Sequence, residues 1–368
     1  MKNNTLLILL VFSSLFSFSQ SYDFETTIDL EATDVISQGN TGTCWSFSTS
    51  SFLESEITRL TGKKIDLSEM YTVRHTYSDK AWNYVMRQGK LQFSQGGLGH
   101  DVINSVYKYG LVPNEVYSGL ADGEKKHNHS KLVDSLKTIL TTYLDDSKAY
   151  TYNWKQDIEN TLDLYLGKDI TTFTYDGKSY TPQSFLEMTT LNPKDYVTIT
   201  SFTHQPYYSN FVLNIPDNFS NGDFYNVTLE DLVAITNNAL KNGFSIELDC
   251  DVSEKTFSSK HGLAIVPAND SADALINVSD EKEITADYRQ QEFENFNTTD
   301  DHLMHITGML KDQNGTVYYK VKNSWGKNGI RKDGYIYMSE AYLKLKTISI
   351  LIHKDAVPNA IKTKLVIN

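Results

Sequence analysis

The chain has 368 residues, a formal net charge of −12 and only two cysteines. That length suits one two-lobed domain or two domains. No basic tract or Arg-rich stripe occurs, which argues against nucleic acid as a partner.

In chain order, the first twenty residues read as an export leader. Lys2 supplies the positive start, Leu6 to Phe12 the apolar core, and Ser17 to Ser19 small residues for cleavage near Gln20. The apolar run is too short to span a bilayer. No cysteine follows it to carry a lipid anchor, and no later stretch is apolar enough to cross a membrane. The expectation is an exported protein, periplasmic or extracellular, with no membrane anchor.

Residues 21 to 37 read as an extended lead-in. Gln38-Gly39-Asn40-Thr41-Gly42-Thr43-Cys44-Trp45 then runs into a predicted helix over Ser46 to Leu60, closed by Gly62. Phe47, Ser50, Leu53, Ile57 and Leu60 recur at helical spacing. A cysteine at a helix start is placed for chemistry, because the thiolate is the nucleophile and the helix dipole favours it. Gly39 and Gly42 let backbone N–H groups approach a ligand. The Gln38 amide and the Cys44 N–H could together hold an oxyanion. For a lone cysteine, an inert buried thiol is the commoner fate; these neighbours together favour a nucleophile.

Ser68 is a candidate cap for a helix from Glu69 to Arg87, with Met70, Val73, Tyr77, Trp82 and Val85 as its apolar residues and His75 on its surface. Gln95-Gly96-Gly97-Leu98-Gly99 can offer bare backbone to an extended peptide, an ordinary turn being the alternative. A helix over Asp101 to Tyr109 ends at Gly110. Lys125 to His129 reads as a solvated loop rather than a metal site. Helices over Lys131 to Leu144 and Lys155 to Leu166 make the region 121–190 a helical insertion. Strands follow at Asp195 to Phe202 and Tyr208 to Ile215, then a helix over Thr228 to Asn242. A strand from Phe244 to Val252 carries Cys250, read as a small buried thiol. After a polar loop at 253–283 and a short helix at Arg289 to Phe296, strands are predicted at His302–Lys311, Thr316–Asn323, Gly334–Met338 and Thr347–His353. Helices first and strands later give an α+β architecture with two lobes.

A cysteine nucleophile needs a base, and the base needs an orienting group. If the strand beginning Asp301-His302-Leu303-Met304-His305 pairs with the strand ending in Asn323-Ser324-Trp325-Gly326, a histidine at the start of one lies beside the asparagine at the end of the other. Asn323 would then orient the imidazole and Trp325 would cover the bond. His302 and His305 face opposite sides of a strand. Only one can face Cys44, and spacing alone leaves the choice open.

These residues resemble the papain-like cysteine peptidases, and within them the bleomycin hydrolase and aminopeptidase C branch. Gln38 with Cys44-Trp45, Leu67-Ser68-Glu69, Gly96-Gly97, Asp301-His302-Leu303-Met304 and Asn323-Ser324-Trp325-Gly326 carry the papain likeness. Tyr107-Lys108-Tyr109-Gly110-Leu111-Val112-Pro113, the helical insertion, Leu248 to Val252 and His353 to Pro358 carry the branch. The resemblance implies a papain-like two-lobed fold: a helical lobe at 21–120 with the nucleophile, the insertion at 121–190, and an antiparallel, barrel-like β lobe at 191–368. It puts the base at His302, giving the catalytic set Cys44, His302, Asn323 and Gln38. It puts substrate contacts at Gly96, Gly97 and Trp325, and calls for no metal and no cofactor.

The implied activity is peptide-bond hydrolysis through a thioester, with release of N-terminal residues favoured. An endopeptidase with an open cleft, a silent peptide-binding protein on the same scaffold, and acyl transfer to another acceptor are the alternatives. Peptides are the expected partners, and homo-oligomerisation stays open. One departure from the papain pattern is Gly42, where a second cysteine is usual. Another concerns the tail. In the branch, a C-terminal tail enters the cleft and its carboxylate meets the substrate's amino group, whereas here only ten residues follow Pro358, ending at Asn368.

Overall fold

The N-terminal half is helical because its apolar residues repeat every three or four positions and its helix ends carry caps. In this computed structural model, residues 21–121, 123–146, 153–269 and 272–367 are described. The leader expected at 1–20 and the Asn368 carboxylate lie outside the described residues. Strand β1 (Phe24–Asp29) leads into α1 (Cys44–Thr61), α2 (Glu69–Met86) and α3 (Gly99–Tyr109). Helices α4 (Ser130–Asp145) and α5 (Trp154–Leu166) follow, then the hairpin β2 (Phe173–Tyr175) and β3 (Lys178–Tyr180), and α6 (Pro182–Thr189). Helix α1 starts at Cys44 itself, behind Thr43. It ends at Gly62, whose left-handed φ of 70° lets its N–H close on Thr58 O. The Ser68 hydroxyl accepts from Tyr71 N and caps α2.

The second half supplies β4 (Tyr196–Thr200), β5 (Asn210–Val212), β6 (Asp223–Asn226), α7 (Leu229–Lys241) and β7 (Ile246–Cys250). It continues with β8 (Phe257–Ser258), β9 (Leu263–Ala264), α8 (Ala286–Glu294), β10 (His302–Asp312) and β11 (Val317–Lys322). Strand β12 (Tyr335–Ser339), α9 (Glu340–Lys346), β13 (Thr347–His353) and α10 (Asn359–Leu365) complete it. One sheet runs β5-β6-β4-β13-β7-β10-β11-β12-β9-β8, with β1 added to the far end of β10. Most neighbours are antiparallel, as expected for the β lobe, but β4–β6 and β12–β9 are parallel. The architecture is papain-like α+β.

Strand β10 is the seam. Its side chains alternate, as a strand requires: Leu303 joins the helical core with Phe52, Leu53 and Tyr77, while Met304 and Ile306 join the β core with Leu248 and Cys250. Leu132, Leu136, Leu140, Ile158 and Leu162 of the inserted helices belong to that same helical core. Helix α1 packs on β10, so the start of one element meets the start of the other.

Several expectations change. His75 does not sit free on the surface: its ring stacks on Tyr109 at 4.1 Å and its Nε2 lies 3.2 Å from Asp169. Trp82 does not enter the core; it is half exposed and stacks on Trp154 with Lys155 above it. Leu60 is exposed as well. The tract around His129 is not simply solvated. Asn40 N donates to His127 O at 2.8 Å and His129 N to Asn40 O at 3.1 Å, so it braces the loop before Cys44. That loop passes so close that a Cβ on Gly39 would meet the His127 carbonyl. The strand expected over 208–215 shrinks to β5, because Tyr208 adopts a left-handed φ of 61° and the chain turns away after Val212. The lead-in at 21–37 contains β1, paired with β10.

Candidate active site

Three backbone features bring Cys44 to the seam. It is the first residue of α1, its Sγ accepts from the Leu303 N–H, and the preceding loop is pinned by Gln95. Gln95 Oε1 accepts from Gly42 N at 2.7 Å, and its carbonyl accepts from Trp45 Nε1 at 2.9 Å. Gly97 lies against the Trp45 indole, where a Cβ would come within 3.1 Å of the ring.

Leu303 directly follows His302, so the thiol's backbone donor and the imidazole are chain neighbours. His302 Nε2 lies 2.8 Å from Asn323 Oδ1. The Ser324 N–H donates to that same Asn323 atom at 2.7 Å. An atom that accepts from a backbone N–H must be the amide oxygen, so His302 Nε2 carries a proton. In the neutral ring Nδ1 is then the bare nitrogen, available as a base. The antiparallel pairing of β10 with β11 creates this arrangement. Trp325 covers it at 4.7 Å from the His302 ring and is itself 40 % exposed. His305 goes elsewhere: its Nδ1 meets Ser51 Oγ at 2.9 Å, inside the molecule.

Gln38 is locked in place. Its backbone N–H donates to Ser324 O at 2.9 Å, its Oε1 accepts from Ser324 Oγ at 2.6 Å, and its Nε2 donates to Thr41 O at 2.7 Å. One Nε2 hydrogen is left over, since an amide nitrogen has two.

Burial pushes the Cys44 thiol up to about 12; the Leu303 N–H opposes this, while Asp300, Asp217 and Asp249 add to it. Burial also drives the His302 imidazole down to about 4. Burial thus works against both charged forms of the pair, in opposition to the helix dipole, which favours the thiolate.

At Gly96 the backbone is not bare. The Asp217 carboxylate occupies the space that a Cβ on Gly96 would need. Asp217 was not singled out in the sequence; Asp249 lies inside the Leu248 to Val252 motif and Asp300 directly before Asp301-His302, and neither was given a role. The described part of the tail packs on the β lobe. Ile361 and Leu365 enter its core, and Lys364 Nζ meets Tyr208 at 3.0 Å.

Behind the site a cavity of about 450 Å³ is lined in part by Glu54, Glu69, His305 and Lys322. Lys322 Nζ donates to Ser51 Oγ at 2.7 Å and to Thr33 Oγ1 at 2.8 Å. It is the local counter-charge to Glu54, which burial pushes up to about 7.

The profile of the Peptidase C1-like family matches residues 14–367. The chain belongs to the Peptidase C1-like family. It is thus a papain-like cysteine peptidase. The peptidase is 25% identical over 378 residues to aminopeptidase C of Streptococcus thermophilus, covering 90% of this chain and 83% of the relative. It is 24% identical over 390 residues to the mitochondrial cysteine proteinase 1 of Saccharomyces cerevisiae strain S288c, covering 93% and 79%. Its fold matches the crystal structure of PepW from Lactobacillus rhamnosis HN001 with a TM-score of 0.71 at 19% identity, over 93% of this chain and 84% of that one. Among the described residues no helix is long and apolar enough to cross a membrane.

Proposed function

We propose that this peptidase is a cysteine aminopeptidase. The observation that carries the chemistry is the Ser324-fixed Asn323 amide, which leaves His302 Nδ1 bare beside the thiol's backbone donor. Cys44 Sγ attacks the peptide carbonyl carbon while its proton passes to His302 Nδ1. The oxyanion sits between the Cys44 N–H and the spare Gln38 Nε2 hydrogen. The imidazolium then gives its proton to the leaving amine, and the acyl group remains on sulfur as a thioester. Water attacks the thioester, His302 takes its proton, and the thiol is regenerated as the acid leaves. Gly97 offers its backbone to the substrate chain, and Trp325 shields the His302–Asn323 bond from water.

The preference for a free amino terminus is supported by the likeness to aminopeptidase C along most of both chains. The test is a pair of fluorogenic substrates with the same amino acid, one with a free amine and one acetylated, with Cys44→Ala as the control. Cleavage confined to the free amine supports the reading, and equal or better cleavage of the acetylated compound rejects it. We also propose that the protein is exported, on the strength of the Lys2 start and the Leu6–Phe12 apolar run. An N-terminus near Gln20 on protein from its native source is the expected finding, and an intact Met1–Gln20 segment rejects export by this leader.

A further inference from the structure

A loop from the opposite lobe closes over Gly96. Residues 213–222 leave the sheet between β5 and β6 and dock on the helices. Asn83 Nδ2 of α2 donates to Phe219 O at 2.6 Å, His100 of α3 meets Ser220 Oγ at 3.0 Å, and the Lys80 ammonium sits over the Phe219 ring. Asn218 holds the loop's own turn, donating to Leu213 O and Gly222 O at 2.9 Å each. The loop so braced carries Asp217 to Gly96. Asp217 Oδ1 accepts from Gln92 Nε2 at 3.2 Å, and the Asp217 backbone N–H donates to the Asp300 carboxylate.

Behind Asp217 the carboxylates outnumber the cations. Asp249 is 1 % exposed; burial and the Asp300 charge push its carboxyl well up, and the two carboxyl groups share a hydrogen bond. Lys80 is the cation at hand, but its ammonium is committed to the carbonyls of Ser94 and Gly96. A buried carboxylate without a donor is costly. Here the carboxyl groups stand beside the nucleophile: Asp300, Asp217 and Asp249 all act on Cys44, and burial pushes each of them up, Asp300 to about 7. Three carboxyl groups crowded beside the nucleophile, with the nearby ammonium already committed, call for a cationic donor on the substrate.

We propose that Asp217, backed by Asp300 and Asp249, anchors the protonated α-amine of the substrate, and that the loop carrying Asp217 ends the cleft at that amine. This inference rests on the aminopeptidase reading and deepens it. It gives this chain an amine anchor built from a loop of its β lobe, while the described part of its tail packs on the β core. It also links recognition to chemistry. An ammonium bound at Asp217 and Asp300 cancels the negative charge that opposes a thiolate at Cys44, so the correct substrate activates its own nucleophile.

The experiment uses the full-length protein and Asp217→Asn, which keeps the shape and can still accept from Gln92 and Ser94. Two readouts are taken. The first is kcat/KM on leucine 4-methylcoumarin amide relative to its N-acetyl form and to an N-acetylated lysine amide. The second is protection of Cys44 from iodoacetamide by leucinamide against N-acetyl-leucinamide, which needs no turnover. The expected result is a free-to-acetylated ratio that falls at least about 30-fold in Asp217→Asn, mostly through KM, with protection by leucinamide lost. Wild-type selectivity for free amines that Asp217→Asn leaves intact overturns the anchor and spares the aminopeptidase reading. Preference for the acetylated lysine amide, abolished by Asp217→Asn, assigns the carboxylates to a side-chain cation and overturns both. Equal protection by the free and acetylated amides in the wild type also overturns the anchor.

Discussion

Ser324 Oγ donates to Gln38 Oε1 at 2.6 Å, while the backbone of the same serine fixes Asn323. The residue that sets the imidazole tautomer therefore also aims the oxyanion donor. Ser324→Ala frees the Gln38 amide to rotate. The expected outcome is a fall in kcat of about 10-fold or more with little change in KM, because the lost interaction acts on the transition state. A purely KM effect would contradict the role given to Gln38.

The two histidines separate cleanly. His302→Ala removes the base and is expected to lower kcat/KM by about 10²-fold or more. His305→Ala leaves the Ser51 hydroxyl facing a gap in the interior, so its effect should appear in the melting temperature rather than in turnover. Paired activity and melting curves decide it, and the reverse order of activities would mean that His305 is the base.

Cys44 and Cys250 are both free thiols. Cys44→Ala is expected to abolish turnover with the fold retained. Cys250 is fully buried among Leu248, Met304 and neighbouring side chains, so Cys250→Ala should cost about 1–2 kcal/mol in denaturant unfolding and leave the site working.

A pH signature lies far from the cleft. Burial pushes Glu281 up to about 7, despite donors from Ser339, Val266 and Tyr318. Between the unfolded value of about 4.3 and 7 the folded state holds the extra proton. The stability from that proton is fully present below about 4.3 and is lost as pH rises through 7. The melting temperature of Glu281→Gln minus that of the wild type should therefore become more positive from pH 5 to pH 8. A difference that stays flat would show that Glu281 ionises normally.

Gly96→Ala places a methyl group where the Asp217 carboxylate now lies. The carboxylate must move, so kcat/KM on free-amine substrates should fall much as it does in Asp217→Asn. The double variant should be no worse than either single change. Additive losses would mean that the two residues act separately.

How much of this was legible in the sequence depended on range. Helical spacing and caps located α1, α2 and α3, because Ser68, Gly62 and Gly110 act on neighbours three or four residues away. Pairing of Asn323 with a histidine was readable because each sits at the end of a strand in one β hairpin. The choice of His302 over His305 needed the family likeness, since alternation says only that they differ. The fate of Trp82 could not be read, because the inserted α5 brings Trp154 to it from far along the chain. Asp217 was invisible for a similar reason. Its loop has no motif, and its role comes from crossing to Gly96, on another lobe and more than a hundred residues away.

Strand β1 pairs with the far half of β10, and Cys44 rests on the N–H of Leu303 in the same strand. Both contacts wait for a segment made late in synthesis, and such long-range pairings form slowly. An emerging chain therefore carries its cysteine without a base, an orienting amide or a bound oxyanion donor. The unfinished polypeptide cannot hydrolyse the proteins around it, because the groups that make its cysteine a peptidase nucleophile have yet to arrive.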